Sequence, residues 1–294
     1  MKDWRDWALR YPAVRVRAYV YFSLSLPFIL CSCSPLRTTV SNSNSAGKAV
    51  PKKSEPGQTV LKEIRGAGAS KLASLRCSPI QIERDETQQR RVALTFDGDW
   101  NASATFEIVK ALRRRNLNAT FFLTGHFCHT FPAECKALKG AGMEIGSHSY
   151  SHPRFQNISN DKIRRQLANC EDAMSQRFGH ATKPLFRFPY GESDSRSRKA
   201  VAESGFQPIY WSLDSLDGFG AEKSGEFVFN RVTGRIKPGD IVLMHVSSAG
   251  TAAALPGILD ELQRKGLRQV PVGDILTERL TEKRNALAGD AGRR

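Results

Sequence analysis

The chemistry-bearing residues of this chain come in short clusters, each at the end of an apolar run. The first is Thr95-Phe96-Asp97-Gly98-Asp99-Trp100, in which two carboxylates follow an apolar stretch. Carboxylates in that setting cost desolvation unless a cation or a proton compensates. By itself Asp-Gly-Asp is also ordinary turn sequence. The second cluster is Gly146-Ser147-His148-Ser149-Tyr150-Ser151-His152-Pro153, with histidines four residues apart. On one turn of helix that spacing aims both imidazoles at one point and suits a divalent metal. The alternative is a pair of surface histidines that cap or pair locally. Set beside Asp97 and Asp99, the metal reading is preferred, because zinc takes imidazole nitrogen and carboxylate oxygen and keeps a position for water.

Three more clusters follow: Phe186-Arg187-Phe188-Pro189-Tyr190-Gly191, then Trp211-Ser212-Leu213-Asp214-Ser215-Leu216-Asp217, then Gly239-Asp240 leading through an apolar run to Leu243-Met244-His245. A guanidinium between two phenylalanines wants a carboxylate partner. Taken singly, each has a structural explanation: an arginine or aspartate anchors a loop, and a lone histidine satisfies a core. Five such clusters at successive strand ends are harder to explain that way.

The elements that position them alternate. Strands are expected at Val92–Phe96, Thr120–Leu123, Met143–Ile145, Leu185–Phe188, Pro208–Trp211, Ile241–Met244 and Arg268–Val272. Helical patterns separate them, clearest at Asp161–Phe178, where Ile163, Leu167, Cys170, Met174 and Phe178 share one face. Ser159 or Asn160 can cap its start and Gly179 can end it. Weaker patterns cover Ala104–Arg115, Pro132–Lys139, Ser195–Glu203, Phe227–Ile236 and Ala253–Lys265. Strand-helix alternation implies an α/β fold with a mainly parallel sheet. About seven strands fit a closed or nearly closed (β/α) barrel, with an open doubly wound sheet as the alternative. In a barrel, chemistry collects at the C-terminal ends of the strands, where these clusters fall.

Outside this region, Arg10, Arg15 and Arg17 precede an apolar stretch from Ala18 to Cys33. A basic segment before a short apolar run resembles a signal peptide. Leu30-Cys31-Ser32-Cys33 resembles a lipobox, with Cys33 as the lipid-bearing residue. A plain secreted protein, or an anchor helix helped by Trp4 and Trp7, are the alternatives; all three place the rest in the cell envelope, outside the cytoplasm. The expected organisation is therefore an anchor over 1–33, a tether and uncertain extension over 34–90, a catalytic domain over 91–282 and a frayed tail over 283–294. The formal charge of +15 suits nucleic acid, anionic lipid or an acidic wall polymer. No nucleic-acid-binding motif appears, so no nucleic-acid partner is expected. Of Cys77, Cys128, Cys135 and Cys170, the 128–135 pair is close enough in sequence for a local disulfide, with buried thiols as the alternative.

Taken in order, the clusters resemble the motifs of the polysaccharide deacetylase family, carbohydrate esterase family 4, from about Arg91 to Leu276. His-Ser-x-x-His at His148–His152, Arg187-x-Pro189-x-Gly191 and Leu243-x-His245 occur in family order. The resemblance implies a distorted (β/α) barrel, a divalent metal, commonly zinc, and an N-acetylated polysaccharide as substrate. It implies that Asp97 is the general base, His148 and His152 are metal ligands, His245 is the general acid and Arg187 orients Asp97. It implies that an aspartate supports the acid, with Asp217 the best match and Asp214 the other candidate. Pro189, Tyr190, Trp211 and Leu243 would line the substrate pocket. Two departures stand out. The family's first motif has adjacent aspartates, the second a metal ligand; here Gly98 intervenes, so either glycine backbone freedom brings Asp99 to the metal or the metal keeps two side chains and water. The other is Gly218-Phe219 where an aromatic is usual; Phe219 or Trp211 would replace that wall.

Overall fold

The computed structural model describes residues 77–279 apart from Gln88. The expected anchor, Cys33, most of the tether and the C-terminal tail lie outside the described residues. Eight parallel strands form the sheet: β1 (Arg91–Gly98), β2 (Thr120–Leu123), β3 (Glu144–Ser147), β4 (Leu185–Phe186), β5 (Gln207–Pro208), β6 (Leu213–Asp214), β7 (Ile241–His245) and β8 (Arg268–Gln269). Their order is β5-β4-β3-β2-β1-β7-β6, with β8 pairing to the start of β1. The central strand β1 is buried at every residue, which is why it reads as an almost unbroken apolar run.

Helices cover the outside: α1 (Thr105–Arg114), α2 (Gly125–Thr130), α3 (Pro132–Gly140), α4 (Asn160–Phe178), α5 (Ser195–Glu203), α6 (Gly225–Thr233) and α7 (Ala249–Arg264). A last helical stretch runs over 272–279. α4 is built as its sequence requires. The Ser159 hydroxyl accepts the Lys162 N–H, Gly179 closes the helix at φ 80°, and the five expected apolar residues are buried. α2 has no counterpart in the sequence reading, because six residues carry too little periodicity.

Two expectations need correction. The Pro208–Trp211 run supplies only β5, and the chain re-enters the sheet beyond it as the two-residue strand β6. The domain also begins upstream of Arg91. Ile82 bridges Ile209, Arg84 bridges Asp240, and Ser78 N–H donates to Gln207. Buried Arg91 is ion-paired with Asp85 and Glu278, so its guanidinium needs the upstream segment in place. This segment ties the β5 edge to the base of β7, and the distorted barrel is nearly closed. Cys128 and Cys135 are buried thiols with sulfurs 3.4 Å apart, not a disulfide. No described helix is long and apolar enough to cross a membrane.

Candidate active site

The C-terminal ends of the strands open on one cleft of about 450 Å³, lined by Asp97, Asp99, Trp100, His148, His152, Tyr190, Trp211, Phe219, Leu243 and His245 among others. Alternation along β1 puts Thr95 and Asp97 on one face and Gly98 on the other, and Asp99, in the bend just past the strand, also lines the cleft. Gly98 is not in a left-handed conformation. Its role is steric: a Cβ there would meet Leu123 at 2.8 Å, Val246 at 3.0 Å and Phe127 at 3.2 Å. The expected appeal to glycine's backbone freedom is therefore replaced by strand alternation and close packing.

Asp97 is held from below. Arg187, fully buried, donates through Nη1 to Asp97 Oδ1 and to Thr95 Oγ1, each at 2.8 Å, and through Nη2 to the Tyr210 carbonyl at 3.1 Å. Its guanidinium lies 4.2 Å from the Phe122 ring centroid, which explains why an arginine survives among phenylalanines. Asp97 and His245 are register partners on β1 and β7, so their side chains leave neighbouring strands side by side.

His245 is held by Asp217: Nδ1 donates to Oδ1 at 2.7 Å and the backbone N–H to Oδ2 at 2.9 Å, while the Thr251 hydroxyl also donates to Oδ2. Burial opposes charge on His245, but Asp217, with Asp97 and Asp214 adding to it, lifts its pKa above the ordinary value. Of the two candidate aspartates only Asp217 touches the histidine. Asp214 accepts the Leu216 N–H at 2.7 Å within a turn, so its assignment to the catalytic set is withdrawn.

The histidine pair lies in a loop, not on the expected turn of helix, and Ser149 and His152 take left-handed φ values of 71° and 56°. Gln166 on α4 accepts the N–H groups of Tyr150 and Ser151 and fixes that loop. His148 Nδ1 faces the Arg187 carbonyl at 2.9 Å, an acceptor that requires the proton there and leaves the Nε2 lone pair exposed. The two Nε2 atoms stand 3.2 Å apart. Two zinc–nitrogen bonds of about 2.0–2.1 Å at a tetrahedral angle place their nitrogens about 3.3–3.4 Å apart, so the pair has the bite of a metal site. Burial lowers the pKa of His148, and that of His152 to about 3, which keeps both imidazoles neutral as ligands must be.

Asp99 stands beside this pair without converging on it. Its Oδ1 accepts the Thr124 hydroxyl at 3.0 Å and its Oδ2 is 3.7 Å from His152 Nδ1. Burial raises its pKa to about 6. Asp97 Oδ2 is likewise 3.7 Å from His148 Nε2. Among the described residues no group of three His, Cys, Asp or Glu side chains meets metal-centre geometry. The residues thus fit a cation through two imidazoles, with carboxylates close by.

The pocket residues sort into two kinds. Tyr190, Trp211 and Leu243 line the cleft. Pro189 is buried and begins the tight turn that carries Tyr190 into a left-handed φ of 60°. Gly218 packs against His245, since a Cβ there would meet its ring at 2.5 Å, and Trp211 and Phe219 both line the cleft. The sequence reading missed Thr95, Thr124, Gln166 and Thr251. Alternation in β1 flags Thr95; the others act across long sequence separations and carry no local signal.

A left-handed histidine loop, an aspartate clamped by an arginine and a histidine clamped by an aspartate thus meet at the strand ends of a distorted barrel, the arrangement expected of a carbohydrate-esterase fold. The polysaccharide deacetylase family model matches residues 84–209. A peptidoglycan-N-acetylglucosamine deacetylase of Bacillus cereus is 35% identical over 61% of this chain and 66% of its own length. A solved peptidoglycan N-acetylglucosamine deacetylase is 32% identical, covers 66% of this chain and 92% of its own, and superposes with a TM-score of 0.62. A family 4 pseudoenzyme from Bacillus anthracis superposes at 0.64, with 28% identity over 68% of this chain and 69% of its own. The chain belongs to the polysaccharide deacetylase family and is an enzyme of its hydrolase class.

Proposed function

We propose that the chain removes N-acetyl groups from hexosamine units of a peptidoglycan- or chitin-like polysaccharide, releasing acetate. The observation that carries this is the pairing of Asp97, clamped by Arg187, with His245, clamped by Asp217, as register neighbours beside the imidazole pair. Asp97 accepts the proton of the attacking water as its oxygen bonds to the acetamide carbon. Tyr190 lines the cleft, and its backbone N–H would share the negative charge that develops on the carbonyl oxygen. His245 then protonates the departing sugar nitrogen as the C–N bond breaks, because an anionic amine leaves poorly. The products are acetate and a free amine on the sugar. A divalent cation, zinc by the chemistry of two imidazoles with carboxylates close by, would be held by His148 and His152, with Asp99 beside them, and would supply positive charge that polarises a carbonyl and acidifies water.

We place the enzyme in the cell envelope, lipid-anchored at Cys33 or secreted, on the strength of the basic and apolar N-terminal run. A wall polymer is then its accessible substrate.

Acetate release from an N-acetylglucosamine oligomer, peptidoglycan and acetylated xylan, measured side by side, tests the reading. We expect the first two to react, and Asp97→Asn to lose turnover while keeping its fold. Preference for the xylan ester would instead assign O-deacetylation. A second reading, a silent glycan-binding protein, is favoured by the displaced Asp99 alone. Glycan binding without acetate release from any polymer would establish it.

A further inference from the structure

Six large hydrophobic side chains are exposed among the described residues, and three of them, Trp100, Tyr190 and Phe219, line the cleft that holds His148, His152 and His245. Trp100 is 63% exposed and Phe219 66%. Rings left that open at the edge of a groove mark a place where something apolar docks. Trp100 is held in position. Trp100 has one face against the His126 ring, centroids 3.8 Å apart, and the Asn101 side chain ties the following turn to Ser103 N–H at 2.9 Å. Phe219 follows Gly218, where a Cβ would meet the His245 ring at 2.5 Å, so its backbone passes directly beside that histidine.

Their placement in the sheet gives them a meaning. Trp100 stands beyond the end of β1 and Phe219 beyond β6, with β7 and its His245 between those two strands. The two rings therefore bracket the proton donor. Given that the cleft binds a glycan, as proposed above, a sugar reacting at His245 has an aromatic surface beyond it in both directions. A pyranose ring in a β-linked hexosamine polymer shows C–H groups on its faces and hydroxyls at its rim. Such a ring lies flat on an aromatic side chain and keeps its polar groups in water.

We propose that Trp100 and Phe219 are stacking platforms for the sugar units on either side of the one being deacetylated, so that the enzyme works within a glycan chain. Each platform binds a neighbour of the reacting unit and touches none of the reacting atoms.

The test is calorimetric binding of an N-acetylglucosamine pentasaccharide in an Asp97→Asn background. Trp100→Ala and Phe219→Ala should each weaken binding about five- to tenfold. Trp100→Phe should restore most of the loss, and Phe106→Ala, an exposed ring on α1, should change nothing. In the active enzyme the same alanine variants should raise KM for the pentasaccharide with little change in kcat. Parental affinity in both alanine variants, or no binding by the parent, overturns the proposal. Should the native protein release no acetate while Trp100→Ala still weakens binding, the platforms stand and the deacetylase reading falls.

Discussion

One carboxylate, Asp217, grips His245 at two points, the ring Nδ1 at 2.7 Å and the backbone N–H at 2.9 Å. The first bond fixes the tautomer and favours the charged ring; the second fixes where that ring leaves β7. Together they favour the charged form of the ring and lift its pKa above the ordinary histidine value, the direction a proton donor needs.

Replacing Asp217 with Asn should therefore lower the pKa of His245. The alkaline limb of the kcat profile should move to lower pH, and kcat at neutral pH should fall about 10²-fold. A pH–rate profile whose alkaline limb stays in place contradicts this role.

Arg187 is the structural counterpart on the side of the base. Arg187→Met would leave the buried Asp97 carboxylate without its cation, at a cost of about 3–5 kcal/mol. Urea unfolding reads that loss directly. Arg187→Lys should recover little of it, because one ammonium cannot reach Thr95, Asp97 and Tyr210 in the planar arrangement the guanidinium uses.

Elemental analysis addresses the cation. The purified protein should carry about one zinc per chain, lost in His148→Ala and His152→Ala. Asp99→Ala decides between the two readings of the altered first motif. Weakening of metal affinity by about 10–100-fold or more makes Asp99 a ligand or its immediate support, and unchanged affinity leaves the imidazole pair with water.

Glu144 gives a stability signature away from the site. Both of its oxygens receive the Gly273 N–H at 3.1 Å, where the 272–279 helix begins, and burial raises its pKa to about 7. The folded value lies above the unfolded one, so the stability it contributes is complete below pH ~4.5 and lost as pH rises through ~7. Glu144→Gln cannot ionise. Relative to that variant, the native protein should lose about 1–3 kcal/mol between pH 5 and 8. Parallel stability curves would show that Glu144 stays charged throughout.

The buried sulfurs of Cys128 and Cys135 make a redox prediction. Oxidised glutathione should take both thiols to a disulfide, two hydrogens passing to the glutathione, with an intact-mass loss of about 2 Da that Cys135→Ser abolishes. Retention of both thiols under conditions that oxidise a model dithiol would show that burial protects them.

The strands and the residues at their ends were legible because period-two alternation and apolar runs are local. β1 declares its own face, and that face carries Thr95 and Asp97 with it. The resemblance preferred Asp217 to Asp214, as the structure has it, but the physical reason was not legible, since it turns on Leu216 adopting a φ of 62° while its N–H bonds the Asp214 carboxylate within a turn. The loop form of the histidine pair was hidden for a similar reason. Its left-handed residues are stabilised by Gln166, a side chain of α4 that no local pattern marks. The upstream boundary was missed because Asp85, an unremarkable acid in a polar stretch, acquires its role only when Arg91 is buried.

Gly98 has a consequence for how this active site can change. An aspartate at 98 on the present backbone would project into Leu123, Val246 and Phe127, on the side away from the cleft. A one-step mutation to the adjacent-aspartate form would thus bury a charge in hydrocarbon before it gained any ligand. In this chain the packing around Gly98 therefore opposes that change, and an aspartate there requires Leu123, Val246 and Phe127 to be remodelled first.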